Sequence, residues 1–471
     1  MSAAPTPVVV RPRPGAPADR FDRRLLPPMM LGSILNPVNS SIIAVALVPI
    51  AAAFGAPTSE TAWLVSSLYL ATSIGQPLIG RLVDTFGPRR LFLVGAVLTL
   101  IAGLIGTFAP AIGVLVVARV VLGFGTCAGY PAAMYLIRSE SARTGIASPA
   151  GVLTALSVTT QTIAVIGPTL GGVLIGLGGW RATFAVNVPL GLACIVLGIL
   201  VLPRTEAVRP GAAGPRTRLR IDLVGILLFA ATLVSLLLYL MDLGLGTLWL
   251  LGITVLAAAA FALRELRAAD PFIDVRVFAG NVPLLVTYAR GVVAATVSYC
   301  FLYGVTQWME DGRGLSASTT GLVLLPVFAA GIVVSTLTGR RPEVRLKLVV
   351  GAVSQVVACA LLLFVQSDAA VWFLVVVAVV FGIPQGLVNL AIQNTLFHQA
   401  DPARMGASSG LLRTFMYLGA MLASSGSAAF FGARATTAGL HELAVFMLVA
   451  AGILLVLTVA DRSLRGVVPR G

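Results

Sequence analysis

The chain is poor in groups that carry charge or catalysis. Only 11% of its residues are charged, against 58% hydrophobic, where a soluble domain carries roughly a quarter charged. It has two histidines, His398 and His441. They fall at opposite membrane faces on the charge pattern described below, so no histidine metal cluster is expected. The four cysteines, Cys127, Cys194, Cys300 and Cys359, all lie inside apolar stretches. They read as small core residues, not as a disulfide framework or a metal site. The sole lysine, Lys347, belongs to no Gly-x-x-x-x-Gly-Lys-Ser/Thr phosphate loop, which excludes a pump driven by nucleotide hydrolysis. None of the eighteen acidic residues lies in the middle of an apolar stretch. With no paired acids and no nucleophile beside a base, a hydrolytic membrane enzyme is excluded as well, and no cofactor is expected.

What the chain does have is apolar length. Fourteen stretches approach the roughly 20 residues that a spanning helix needs. They run about 29–53, 61–80, 90–109, 113–137, 149–175, 181–202, 221–242, 247–266, 282–306, 318–339, 345–366, 370–394, 407–432 and 439–460. Lipid offers no partner to open backbone groups, so these stretches are predicted to be helices, giving an all-α polytopic membrane protein. Twenty-six of the 32 cationic side chains fall in the two tails and in every second loop. That alternation is the positive-inside bias, and it places both termini in the cytoplasm. The net charge of +14 therefore reflects topology, not nucleic-acid binding. Residues 1–28, rich in Pro, Ala and Arg, read as a disordered cytoplasmic tail rather than a signal peptide.

The chain also resembles itself at an offset near 257 residues. Gly80-Arg81 recurs as Gly339-Arg340, Val94 to Val97 as Val350 to Val353, Phe124-Gly125 as Phe381-Gly382, and Gly151 to Leu153 as Gly410 to Leu412. The offset spans eight helices, an even number, so both copies point the same way. The expected organisation is a six-helix bundle over 29–202, a cytoplasmic linker over 203–220 and two inserted helices over 221–266. A second linker over 267–281, a second six-helix bundle over 282–460 and a tail over 461–471 complete it. Two related bundles around a cavity suit a rocking, alternating-access transporter.

Several motifs sharpen this. The loop Gly80-Arg81-Leu82-Val83-Asp84-Thr85-Phe86-Gly87-Pro88-Arg89-Arg90 resembles the signature loop of the major facilitator superfamily, Gly-x-Leu-x-Asp-x-x-Gly-x-Arg-Arg. Arg119 to Gly123 is similar to the superfamily's helix-4 arginine motif, and Gly167-Pro168-Thr169-Leu170-Gly171-Gly172 to its antiporter motif. Gly179-Trp180-Arg181, Asn187 to Gly191, Asp222 to Gly225 and Gln307 resemble the fourteen-helix drug:proton antiporter family. The resemblance covers residues 29 to 460. It implies a secondary exporter of small hydrophobic or amphiphilic compounds in the bacterial plasma membrane, working beside protons and lipid as a monomer. A multidrug pump and a dedicated metabolite exporter are both open. The alternative is an uncoupled facilitator, or an uptake transporter, of a neutral or anionic small molecule.

Each motif has a physical role. Gly80 and Gly87 allow a tight cytoplasmic turn, Arg89 and Arg90 hold it inside, and Asp84 bridges to an Arg or a helix terminus as a conformational gate. Gly167-Pro168 permits a kink and Gly171-Gly172 a close helix contact. Arg119 and Arg290 lie inside apolar stretches, where a cation costs about 2.5–3.5 kcal/mol on insertion scales, which marks them as functional candidates or carbonyl-satisfied structural residues. Gln385, Asn389 and Gln393 recur every four residues along one face; Asn36 and Asn39 flank Pro37, and Gln161 lies mid-stretch. Each lines the substrate cavity or glues helices together. Tyr299, Tyr303 and Gln307 step along one stretch as a candidate aromatic wall. In one respect the chain departs from the family. Where the family carries a first-helix acid in a pattern like Asp-Ser-Thr-Ile-Val-Asn, this chain reads Asn39-Ser40-Ser41-Ile42-Ile43-Ala44. An amide does not titrate, so proton coupling is expected to use Glu310 or Asp311, or Asp84, near a helix end.

Overall fold

The computed structural model describes residues 21–144, 150–203, 222–241, 245–268, 271–273, 276, 281–339, 343–400, 405–461 and 463–464. The expected N-terminal tail up to residue 20, linker residues 204–220 and tail residues 465–471 lie outside the described residues, as do the side chains of Asp84 and Gln161. The described residues form helices throughout and no strand. Twelve segments are long and apolar enough to cross a membrane. Two further helices, α3 (Thr58–Phe86) and α7 (Ala150–Gly178), are 29 residues each.

The first group of helices begins with α1 (Leu26–Ile42), whose ladder gives way to a 3₁₀ turn at Ile43–Val45 before α2 (Leu47–Phe54). After α3 come α4 (Pro88–Thr107), the continuous pair α5 (Ile112–Thr126) and α6 (Gly129–Thr144), then α7, α8 (Ala182–Ala185) and α9 (Asn187–Leu200). The join between α3 and α4 follows from two adjacent residues. Gly87 adopts φ 86°, which a side chain resists, and Pro88 supplies a preset first helical residue. Within this group α1 packs on α7, α4 on α5 and α9, and α3 on α5.

The second group comprises α12 (Val282–Tyr299), α13 (Ala317–Gly339), α14 (Val344–Leu362), α15 (Val371–Gln399), α16 (Met405–Phe431) and α17 (Thr437–Ala460). Here α13 and α14 pack on α15, and α12 on α16 and α17. The repeat shows in one crossing: a methyl on Gly95 of α4 would meet Gly125 O of α5 at 2.5 Å, and one on Gly351 of α14 would meet Val388 of α15 at 2.6 Å. The two groups meet through α3 against α16 and α7 against α13.

Between the groups, α10 (Leu223–Met241) and α11 (Leu248–Arg267) pack on each other, and α10 lies against the flank of α3 and α16. Their outward faces, with Leu227, Leu238, Trp249 and Leu256 exposed, suit a lipid surface. Asp222 caps α10 through the Gly225 N–H at 2.9 Å and pairs with Arg264 of α11 at 3.3 Å. Gly225 is required there, because a methyl would stand 2.8 Å from the Asp222 carboxylate and overlap Glu265. The four cysteines are free and buried.

Several boundaries differ from the sequence reading: α3 runs past residue 80 to Phe86, so Gly80 lies inside a helix and Gly87 makes the turn, and α6 runs past residue 137 to Thr144. The stretch expected to end at residue 306 continues to Gly312, and it does so through π-helical turns at Cys300–Val305 and Trp308–Gly312. A wider turn takes in extra residues without ending the helix. Gln307 and Glu310 therefore belong to a spanning segment, Val282–Gly312, and both are buried.

Candidate functional site

The break in α1 places two backbone carbonyls side by side in the interior. Asn39 O accepts from Arg119 Nη1 at 3.1 Å, and Ser40 O accepts from the Tyr303 hydroxyl at 2.9 Å. Arg119 sits on α5, 1% exposed, and its Nε also donates to Leu64 O of α3 at 2.7 Å. It therefore ties three helices of the first group together through neutral acceptors. Its Nη2 has no hydrogen-bond partner among the described residues.

Tyr303 belongs to the other group, and its hydroxyl lies 2.9 Å from that of Tyr69 on α3. Around this contact Tyr69 packs on Tyr299 and Tyr417 with ring centroids 5.3 Å apart, and Tyr299 stacks on Tyr303 at 5.7 Å. Four tyrosines and one arginine thus form a node between the two groups. Arg119, Tyr299 and Tyr303 carry signals in the sequence; Tyr69 and Tyr417 were missed. A signal existed for Tyr417, which follows the intramembrane Arg413 by four residues on one face of α16. Arg413 itself lies 4.1 Å over the ring of Tyr130 on α6, a cation contact across the groups.

Above the node, towards the outer face, the groups are sealed by short contacts. Ser424 donates to Ala62 O at 2.8 Å, Ser318 to Gly172 O at 2.9 Å, and Thr169 to Gly321 O at 2.9 Å. The antiporter motif makes that closeness possible. A methyl on Gly167 would overlap the Ser41 hydroxyl, and one on Gly171 would meet Val45 at 2.7 Å, so α7 lies directly on α1. A methyl on Gly172 would meet Ala317 O at 2.6 Å, so the other edge of α7 lies directly on α13. Pro168 is buried in α7 between these contacts, and its carbonyl faces Gly321. On α5, Gly123 lets α3 approach in the same way, with Leu68 O 2.8 Å from a would-be methyl.

Other expected cavity residues sit elsewhere. Asn39 is held in a reciprocal amide pair with Asn187 of α9, at 2.7 and 2.8 Å, and is 3% exposed. This pair accounts for the missing acid, because a carboxylate at position 39 has no N–H for Asn187 Oδ1. Replacing Asn187 with Ala leaves a buried amide without its partner, which costs about 1–3 kcal/mol. A lowered melting temperature in detergent, with Asn39→Ala/Asn187→Ala recovering part of the loss, is the expected readout.

Arg290 is fully buried but donates to Leu457 O at 2.7 Å and pairs with Asp461 at 2.6 Å. Both partners follow from α17, so this is a tie within the second group and not a cavity wall. Burial pushes the Asp461 carboxyl up; hydrogen bonds from Ser463 and Arg290 outweigh it and leave the group below its usual range. Asn36 donates to Thr126 at 3.2 Å, again within one group. Asn389 reaches Gln385 on its own helix at 3.2 Å, and Gln393 is exposed.

The outer acids divide clearly. Asp311 accepts from the Ala435 N–H at 2.7 Å and pairs with the exposed Arg434 at 3.1 Å. Glu310 is 7% exposed, and its Oε1 has no hydrogen-bond partner. Gln307 Oε1, one turn towards the node, also lacks one. At the cytoplasmic end Arg89 donates to Ile199 O at 2.9 Å, Arg90 is exposed and Gly80 has open space around it.

The chain is similar to known proteins in sequence and in fold. The family model described as the Major Facilitator Superfamily matches residues 29–424. The uncharacterized MFS-type transporter YwoD of Bacillus subtilis is 33% identical over 443 residues, 92% of this chain and 95% of that protein. The tetracenomycin C resistance and export protein of Streptomyces glaucescens is 28% identical over 84% of this chain and 73% of that one. Among solved structures, the nucleoside transporter NupG superposes with TM-score 0.60 over 94% of this chain and all of that one, at 12% identity, a likeness of fold.

Proposed function

The chain belongs to the major facilitator superfamily, and from that premise we propose that it exports small hydrophobic or amphiphilic compounds by proton antiport. It is a multi-pass transporter of the plasma membrane, not an enzyme. The observation that carries the reading is the outer seal. The two helix groups meet there through single hydrogen bonds, glycine contacts at Gly172 and Gly321, and an apolar cluster that joins Leu64 and Tyr69 of the first group to Ala420 and Met421 of the second. Such contacts break and reform as a set when one bundle rocks on the other. The direction, export, draws support from the glycine-proline motif at the seal and from the relative named for tetracenomycin C export.

Proton coupling draws support from Glu310. It is a buried carboxyl group in a π-helical turn near the outer face, and its Oε1 has no hydrogen-bond partner among the described residues, which supports a role in proton exchange. Asp311 is already committed to Arg434 and the Ala435 N–H.

The test is transport by the full chain in proteoliposomes under an imposed pH gradient, with a panel of hydrophobic dyes and amphiphilic antibiotics. Uphill, saturable movement that collapses with a protonophore is expected. Saturable movement that ignores the gradient would replace antiport with facilitated diffusion.

A further inference from the structure

Arg119 is a buried cation without a counter-charge. Its two bonded nitrogens face backbone carbonyls, which satisfy N–H groups but leave the positive charge in place. Arg290, the other buried arginine of comparable depth, has Asp461. No carboxylate pairs with Arg119 among the described residues, and the ionisable groups near it are Tyr69 and Tyr303. A group that is 1% exposed and keeps one free N–H bearing nitrogen is an incomplete site.

The surroundings say what would complete it. Tyr69 and Tyr303 hold each other's hydroxyls across the boundary between the two groups, beside Arg119. When the groups part, that contact is lost: Tyr303 moves off with its group, and the Tyr69 hydroxyl is left free as a donor beside Arg119. The rings of Tyr69, Tyr299, Tyr303 and Tyr417, spaced 5.3 to 5.7 Å apart, offer flat faces to a planar guest. We propose that Arg119 and these tyrosines recognise a planar aromatic anion, a ring system bearing a carboxylate or an equivalent acidic oxygen. Nη2 carries two N–H groups that can donate to such an oxygen, on a guanidinium that keeps its charge. A dication is excluded by the same geometry, since the node offers it no carboxylate. The proposal rests on the export reading above, because it names the class of compound that the transporter carries.

Equilibrium binding to the purified full chain in detergent tests it, with naphthoate as probe and uncharged naphthamide as its isostere. The wild-type protein is expected to bind naphthoate at least about tenfold more tightly. Arg119→Gln removes that preference while naphthamide affinity stays within about twofold. Because Arg119 also joins α1 to α3, retained naphthamide binding certifies that the variant is folded. If it does not fold, Tyr69→Phe/Tyr303→Phe carries the test, with loss of most of the preference expected. Equal wild-type affinity for the two probes overturns the proposal, and so does a preference that survives in a folded variant. Binding is measured without a gradient, so the two readings fail separately. Naphthoate preference without vesicle transport sinks export alone; gradient-driven dye export without naphthoate preference sinks the anion site alone.

Discussion

Glu310→Gln is expected to abolish accumulation driven by a pH gradient while leaving gradient-free counterflow of the same dye nearly intact. Glutamine keeps the size and hydrogen-bonding capacity of a protonated carboxyl group but cannot release a proton, so the cycle runs without coupling. Removing a positioned proton carrier acts on the order of a hundredfold or more, which puts driven transport near the level of empty liposomes. The geometry singles out this acid: it is buried in the π-helical turn Trp308–Gly312, and its Oε1 is without a partner. Asp311→Asn is the control. Its carboxylate is fixed by Arg434 and the Ala435 N–H near the surface, so its loss loosens a loop without removing a proton carrier. Equal loss of driven transport in both variants would point to a structural effect and remove Glu310 from the coupling role.

Gly172→Val is expected to hold the outer side open and stop transport in a folded protein. A methyl at Gly172 already meets Ala317 O at 2.6 Å and the Ser318 backbone at 2.8 Å, and a backbone has no rotamer to swing away. Overpacking of this kind costs about 1–3 kcal/mol, which moves a two-state balance by roughly one to two powers of ten. The cost falls on the sealed state alone, because the two helix groups part at this contact in the other. Ser424→Cys reports the change: Ser424 is 1% exposed in the seal, and the four native cysteines are buried. Its reaction with an impermeant maleimide from outside should rise about tenfold in the valine background. Gly176→Val is the matched control, since the nearest atom to its would-be methyl is the movable Ser318 hydroxyl at 3.4 Å. If Gly176→Val opens the seal as much as Gly172→Val does, close backbone contact is not what closes it.

The helical class, the turn at Gly87 and the glycine seam of α7 were legible because each is written in neighbouring residues. Charge alternation and apolar length need no tertiary information either. The node was legible only in part. Tyr69 and Tyr303 are 234 residues apart, and Arg290 and Asp461 are 171 apart. Nothing local in the sequence says that either pair meets. Asn187 appeared as part of a motif, yet its partnership with Asn39 depends on how α9 lies against α1. The π-helical turns escaped for another reason: apolar length counts residues and is blind to the hydrogen-bond ladder that spaces them. That is why the span was expected to stop at residue 306, and why Glu310 was read as lying near a helix end.

The outer seal has one more property, and it concerns inheritance. Together with the node it places four bonds on main-chain carbonyls, at Ser40, Ala62, Gly172 and Gly321, and the donors are Tyr303, Ser424, Ser318 and Thr169. A carbonyl is present whatever amino acid the codon specifies. On the accepting side, then, a single-base change crowds the contact, as Gly172→Val does, but never deletes the acceptor. Genetic drift deletes a hydrogen-bonding group here only through the four hydroxyl-bearing residues. Variation that tunes how readily the transporter opens should collect at those positions.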